Sequence, residues 1–423
     1  ASLAVAPAGA SNTDWTQSNF IEVQPSTSQS MVGVGNHVYV ADQTTNQMQL
    51  FSDAAATTPS STSDSVSKPG AISVNTSCGR AAVLTENQAG DHSFAVQDID
   101  QTGAFVASTL VDGQAPWTAA TNDIPTSIAI DDSCNVFVVG TNSVSGQGWW
   151  RYFGNQGGGV FNTAGAGIFQ YTPTAVKYDQ NSTFWVTENH YPGVIYSGLL
   201  DVFNFALPSG QPVASFDTCR QPTSMTITTD SVWVTCYWGA DNNDYTMAVK
   251  HSKSEGDIVD SLSSVNGNED ASSLAISSDG KTAFASSFWG ISEFKKGAGG
   301  TWTESYGDLS CATGATQTQL YLSNSDTRLW CASTNGWLKV YSPPSTVAPT
   351  ITSDDSTTMN IGTQASFTIT TGGTPTPTIT ESGAMPGGLT FTDNGDGTAT
   401  IAGTPAANDK HHTTITVTAA NGT

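Results

Sequence analysis

Basic residues are scarce in this chain, with 13 Lys and Arg against 36 Asp and Glu in 423 residues. The formal charge of -23 argues against nucleic acid and anionic membrane as partners, since both are held by a basic footprint. Charge of either sign is sparse, at 12% against about a quarter in ordinary soluble domains. No apolar run approaches the roughly 20 residues that a membrane-spanning helix needs. Helix-period stretches are also missing. The sequence contains no G-x-S-x-G elbow, HExxH or P-loop, which removes the commonest nucleophilic, zinc and phosphate-binding signatures. It has six cysteines and no CxxC pair, so disulfides in an oxidising compartment fit better than metal or redox chemistry. The opening Ala1-Ser2-Leu3-Ala4-Val5-Ala6-Pro7 lacks both an initiating Met and a basic n-region, the expected look of a mature N-terminus after signal removal. Asn75, Asn181 and Asn421 head N-x-S/T triplets, which chance supplies freely in a chain this rich in Ser and Thr.

What the chain does have is a repeat. A short alternating strand, usually entered through a proline, recurs at Ala71–Val74 after Pro69, Ser127–Ile130 after Pro125, Ala175–Tyr178 after Pro173 and Ser224–Ile227 after Pro222. Degenerate copies stand at Met31–Val34, Ser273–Ile276 and Gln319–Leu322. Each is followed by a polar turn and a second strand centred on Tyr39, Ala82, Phe137, Trp185, Trp233, Phe284 or Trp330. These centres lie about 43 to 55 residues apart, the length of a four-stranded propeller unit. Third strands are expected at Gly167–Tyr171, Asp201–Phe205, Ile291–Phe294 and Leu338–Tyr341, and fourth strands at Val106–Val111, Val213–Asp217, Val259–Ser263 and Trp302–Tyr306. The seventh unit has no fourth strand of its own, and Phe20–Val23 has nothing local to pair with. Giving that N-terminal strand to the last unit closes the ring and removes two open edges.

The expected fold is therefore all-β: an N-terminal extension over 1–18, a seven-bladed β-propeller over 19–345 and a further domain over 346–423. The repeat resembles NHL/YVTN-type propellers in Pro125-Thr126-Ser127-Ile128-Ala129-Ile130-Asp131 and Phe184-Trp185-Val186-Thr187-Glu188. That family holds sensors, scaffolds, lyases and lactonases, so the resemblance implies a fold and leaves the function open.

Ser342 to Pro349 reads as a semi-rigid linker. Beyond it, Pro349–Thr352, Ala365–Ile369, Pro386–Phe391, Asp393–Thr398, Ala399–Pro405 and Thr414–Ala419 resemble the putative-Ig repeats of bacterial surface proteins. The resemblance implies an Ig-like β-sandwich acting as spacer or adhesive module. That family has one more strand after its Asn-Gly turn, whereas this sequence stops at Asn421-Gly422-Thr423. The missing strand is expected beyond Thr423, or in Ser2-Leu3-Ala4-Val5 of another copy by strand addition, or the domain stands without it.

The strongest constellation is aromatic. After successive second strands come Trp149-Trp150, His190-Tyr191, Tyr237-Trp238, Phe288-Trp289 and Trp337, in loops that leave a propeller on one face. Such rings either wedge between units, anchor a protein interface or stack on sugars. His190 also stands where a lyase or lactonase places an acid, base or metal ligand, but no second histidine is equivalent to it. Asp241 and Asp244 are weak Ca²⁺ candidates, as are Asp98 with Asp100 and Asp131 with Asp132; none has EF-hand spacing, and turns favour Asp in any case. The cysteines in equivalent places of units five and seven pair as Cys219–Cys236 and Cys311–Cys331, leaving Cys78 and Cys134 in matching turns of neighbouring units. No cofactor is called for beyond a structural calcium. The favoured function is a non-enzymatic secreted or cell-surface binding or assembly protein, whose partners are other copies of itself or surface proteins. The alternatives are a channel-metal lyase or lactonase and a glycan-binding lectin.

Overall fold

The computed structural model describes residues 15–23, 25, 30–52, 58–117, 122–179, 183–189, 198–205, 211–237, 246–264, 271–287, 290–297, 299–306, 309–311, 318–343, 347–374, 376–407 and 412–421. Every regular element among them is a strand, and no helix is long and apolar enough to cross a membrane. The chain divides into two compact units between Ser342 and Pro343. That division lies three residues ahead of the expected boundary.

The first unit opens with β1 (Thr16–Glu22). β2 (Met31–Val34), β3 (His37–Asp42), β4 (Gln47–Ser52) and β5 (Ser61–Thr62) follow as one antiparallel sheet. The next holds β6 (Ile72–Asn75), β7 (Arg80–Glu86), β8 (His92–Asp98) and β9 (Val111–Trp117). A third holds β10 (Asp123–Ile130), β11 (Val136–Asn142), β12 (Gly148–Asn155) and β13 (Phe161–Ile168). A fourth holds β14 (Thr172–Asp179), β15 (Thr183–Asn189), β16 (Gly198–Asn204) and β17 (Ala214–Thr218). Then come β18 (Pro222–Ile227), β19 (Ser231–Cys236), β20 (Thr246–Ser252) and β21 (Ile258–Ser263). β22 (Ser273–Ile276), β23 (Thr282–Ser287), β24 (Gly290–Lys296) and β25 (Trp302–Tyr306) make the sixth sheet. The last contains β26 (Thr318–Leu322), β27 (Leu329–Ser333) and β28 (Trp337–Ser342), and its fourth strand is β1, paired antiparallel to β28 from Thr16 opposite Ser342 to Glu22 opposite Trp337. β1 starts inside the stretch expected to be an extension. Two further expectations shift: Gly167 belongs to the fourth strand β13 rather than to a third strand, and β9 begins at Val111, where the expected strand ends.

The first strands pack on one another in sequence, β2 on β6 and so on to β22 on β26, and β26 packs on β2 to close the cycle. Side-chain hydrogen bonds stitch these seams. Thr223 and Thr226 donate to the carbonyls of Ala271 and Leu274, each at 2.6 Å. Ser127 Oγ accepts from Val176 N, and Ser273 Oγ from Leu320 N. At the closing seam Gln319 Oε1 accepts from Met31 N, and Tyr321 donates to Gly35 O at 2.7 Å. Successive bonds advance in the same direction on both partners, so neighbouring first strands run parallel. The same end of every sheet therefore comes to the same side.

The core follows from this cycle. Among the described residues the unit has seven apolar clusters, each built from two successive sheets. Adjacent residues of a strand point to opposite faces, so Val136 and Val138 of β11 enter the cluster shared with the second sheet, while Phe137 and Val139 enter the one shared with the fourth. This is why the second strands are continuous apolar runs rather than alternating ones.

The second unit has β29 (Val347–Ile351), β30 (Ala365–Thr374), β31 (Thr378–Ser382), β32 (Leu389–Asp393), β33 (Thr398–Gly403) and β34 (Thr416–Ala420). They form two sheets, ordered β29-β30-β33-β32 and β31-β34, around a core containing Ile369, Ile379, Ala399 and Ile401. The β32–β33 turn carries Gly395 and Gly397 at φ 76° and 83°, a left-handed backbone that suits glycine. Asp393 and Asp396 accept backbone N–H groups within it, so the turn's acids are used locally.

Candidate functional site

The parallel cycle brings the junctions between second and third strands to one face of the first unit. His190, Tyr191, Trp238, Phe288 and Trp289 lie outside the described residues, as do Asp241, Asp244 and the segment Ser2 to Val5. Of the aromatic residues that are described there, Tyr237 directly follows β19 and is 45% exposed. Trp337 opens β28 and is half-buried.

Trp149 and Trp150 follow the first of the three alternatives, wedging between units, and only their expected placement in a loop is corrected. They belong to the third strand itself, and they are only 3% and 2% exposed. As consecutive strand residues they point to opposite faces, Trp149 into the core shared with the second sheet and Trp150 into that shared with the fourth. Glycines make the room. A Cβ at Gly140, cross-strand from Trp149, would lie 2.3 Å from its Cζ2, and one at Gly167, cross-strand from Trp150, would lie 2.6 Å from its Nε1. Gly140, Gly165 and Gly167 were the visible signal that these rings lie flat on the sheet.

The same face has a buried acid pair that the aromatic pattern did not reveal. Glu188, near the end of β15, and Asp201, in β16, are 1% and 3% exposed. Glu188 Oε2 accepts from Tyr171 N at 2.8 Å. Its carboxyl is pushed well above the usual carboxylate range, first by burial, then by its hydrogen bond to Asp201 and that residue's charge. Asp201 Oδ1 takes no bond from an ordinary donor among the described residues. Burial beside a second acid favours the protonated form of Glu188. Such a pair is chemically able to exchange a proton, but both groups lie beneath the surface.

Of the other weak acid candidates, Asp98 pairs with Arg80, Asp132 accepts from Asn75 and Tyr178, and Asp131 and Asp100 are taken up largely within their own turns. Asp131 accepts from Ser133 N, Asn135 N, Asn135 Nδ2 and Tyr152 Oη, which leaves little capacity for a cation. Asp100 likewise accepts from Thr102 and Ala104. Among the described residues no group of three or more His, Cys, Asp or Glu side chains is placed to hold a metal. The cysteines are joined as Cys78–Cys134, Cys219–Cys236 and Cys311–Cys331, with Cα separations of 5.5, 5.8 and 5.5 Å. Such bonds persist in an oxidising environment.

Neither a family model nor a curated protein matches this chain. Among solved structures, a chain of the crystal structure of the mitotic checkpoint complex is similar, with a TM-score of 0.52 and 10% identity over 81% of this chain and 96% of that one. The fold is all-β and propeller-like. In all, 662 solved chains match, a breadth that ties the fold to no single activity.

Proposed function

We propose that this is a non-enzymatic, secreted or cell-surface interaction protein, a seven-bladed β-propeller serving as a platform and an Ig-like domain serving as spacer or assembly module. One observation carries the reading: parallel first strands in a closed cycle deliver the second-to-third-strand junctions to one rigid face, where Tyr237 stands exposed. A ring whose cores lie between sheets tolerates varied loops at no cost to its scaffold, which is how rigid folds present binding surfaces. Exposed Tyr is a typical interface anchor. The three disulfides and the shortage of charge agree with an extracellular setting.

The test is site-specific photo-crosslinking in the producing cells. A photoreactive residue at Tyr237 gives discrete protein adducts, while one at Lys281, in the β22–β23 turn on the opposite side, gives none. Glycan-array binding abolished by Tyr237→Ala, without adducts, supports the lectin instead. Absence of both, or equal adducts at the two positions, overturns the platform reading.

A further inference from the structure

Among the described residues, the core of the second unit is incompletely covered. A groove of about 690 Å³ runs along it, lined by apolar side chains that include Met359, Phe367, Met385, Leu389, Ile415 and Val417. All six of these remain only partly buried, whereas the clusters of the first unit are mostly closed to solvent. The cause is visible in the sheets. Four strands face a sheet of two, and β34 pairs with β31 along one edge only among the described residues. Val417, with Ile415 just before the strand, borders a stretch of β34 edge without a strand partner among the described residues, which presents N–H and C=O groups to an extended segment, while β29 packs near its far end, where Asn421 Nδ2 donates to Val347 O at 2.8 Å.

We infer that this groove accepts Ala1–Ala6 of a second copy of the chain, added as a strand beside β34. Several features of that segment fit. It alternates, with Leu3 and Val5 on one face and the small Ser2, Ala4 and Ala6 on the other, so one face fills the groove while the other stays unobtrusive. Pro7 has no N–H to extend the ladder and ends it. The first thirteen residues carry no charged side chain, which suits a groove whose rim holds Asp354 and Asp355. The 14 residues ahead of Trp15 lie outside the described structure, and an extended chain spans up to about 3.3–3.6 Å per residue. A donor in one unit and an acceptor in the other make the contact head-to-tail, so copies join into a ring or an open filament. The inference rests on reading the protein as an assembly protein, and specifies how copies are joined.

The full-length chain, a form lacking residues 1–8 and a Leu3→Asp/Val5→Asp form are compared by sedimentation across a range of concentrations. The intact chain forms multimers, and both donor variants are monomers with unchanged thermal unfolding. A Val417→Lys chain, blocked as acceptor, mixed with the donor-deleted chain gives 1:1 dimers that stop there. A synthetic peptide of residues 1–8 binds the donor-deleted chain in a saturable manner. Multimers that persist without residues 1–8 overturn the inference, as does a monomeric intact chain, whether or not the segment is protected within it. Because Tyr237 lies in the other unit, its crosslinking result is independent of this outcome.

Discussion

The indole of Trp150 lies so close to Gly167 that a single methyl group there has no room, since a Cβ would fall 2.6 Å from Nε1 and Cε2. A strand on the outside of the third sheet, rich in alanine and glycine, is thereby made into a seat for the largest side chain. Gly167→Ala is expected to destabilise the first unit by about 1–3 kcal/mol through overpacking, and Trp150→Ala by about 3–5 kcal/mol through the cavity it leaves. Urea denaturation of both variants checks this. Unchanged midpoints would show that Trp150 is not seated as described.

Glu188 makes stability depend on pH in an unusual sense. Its folded pKa is raised above the ordinary 4.5, so between the two values the folded protein holds a proton that the unfolded chain has released. Stability is therefore full below pH about 4.5 and declines as pH rises toward the folded pKa. Glu188→Gln keeps the donor and removes the titration. The variant is expected to match the parent near pH 4 and exceed it at pH 8, in denaturation curves taken at both. The same slope in parent and variant would exclude this origin.

His251 acts in the opposite direction. Its Nδ1 donates to Gly256 O and its Nε2 accepts from Thr218, each at 2.8 Å, and burial lowers its pKa from 6.5. Below 6.5 the unfolded chain takes up a proton that the folded one refuses, so stability falls as pH drops until the folded pKa is passed. His251→Phe abolishes this slope but leaves Thr218 and the Gly256 carbonyl without their partner, lowering stability by about 1–3 kcal/mol even at pH 8. Tm measured at pH 5 and pH 8 separates the two effects.

Cys78 and Cys134 join the first turns of neighbouring sheets across 56 residues of sequence. A loop of that length is worth about 4 kcal/mol in the chain-entropy picture. The double variant Cys78→Ser/Cys134→Ser is expected to lose about that amount, measured by denaturant titration. Removing Cys219 and Cys236, 17 residues apart, is expected to cost nearer 3 kcal/mol. Equal losses would argue against loop entropy as the cause.

By itself the amino-acid sequence determined the rhythm of the first unit. Tyr39, Ala82, Phe137, Trp185, Trp233, Phe284 and Trp330 all lie in second strands, because a strand buried on both faces must be apolar wherever it occurs. The cysteine positions were likewise legible, since equivalent places in a repeat are equivalent in space. Only tertiary structure decided which neighbour each residue meets. Trp149 and Trp150 look like a loop display in one dimension, but on β12 they turn to two different cores, and the glycines that admit them are distant in sequence or on another strand. Glu188 and Asp201 become an acid pair only because the register sets Val186 opposite Asp201 and so places Glu188 diagonal to it. Local sequence sets period and polarity, whereas burial, proton affinity and exposed edges depend on which strand comes to lie alongside.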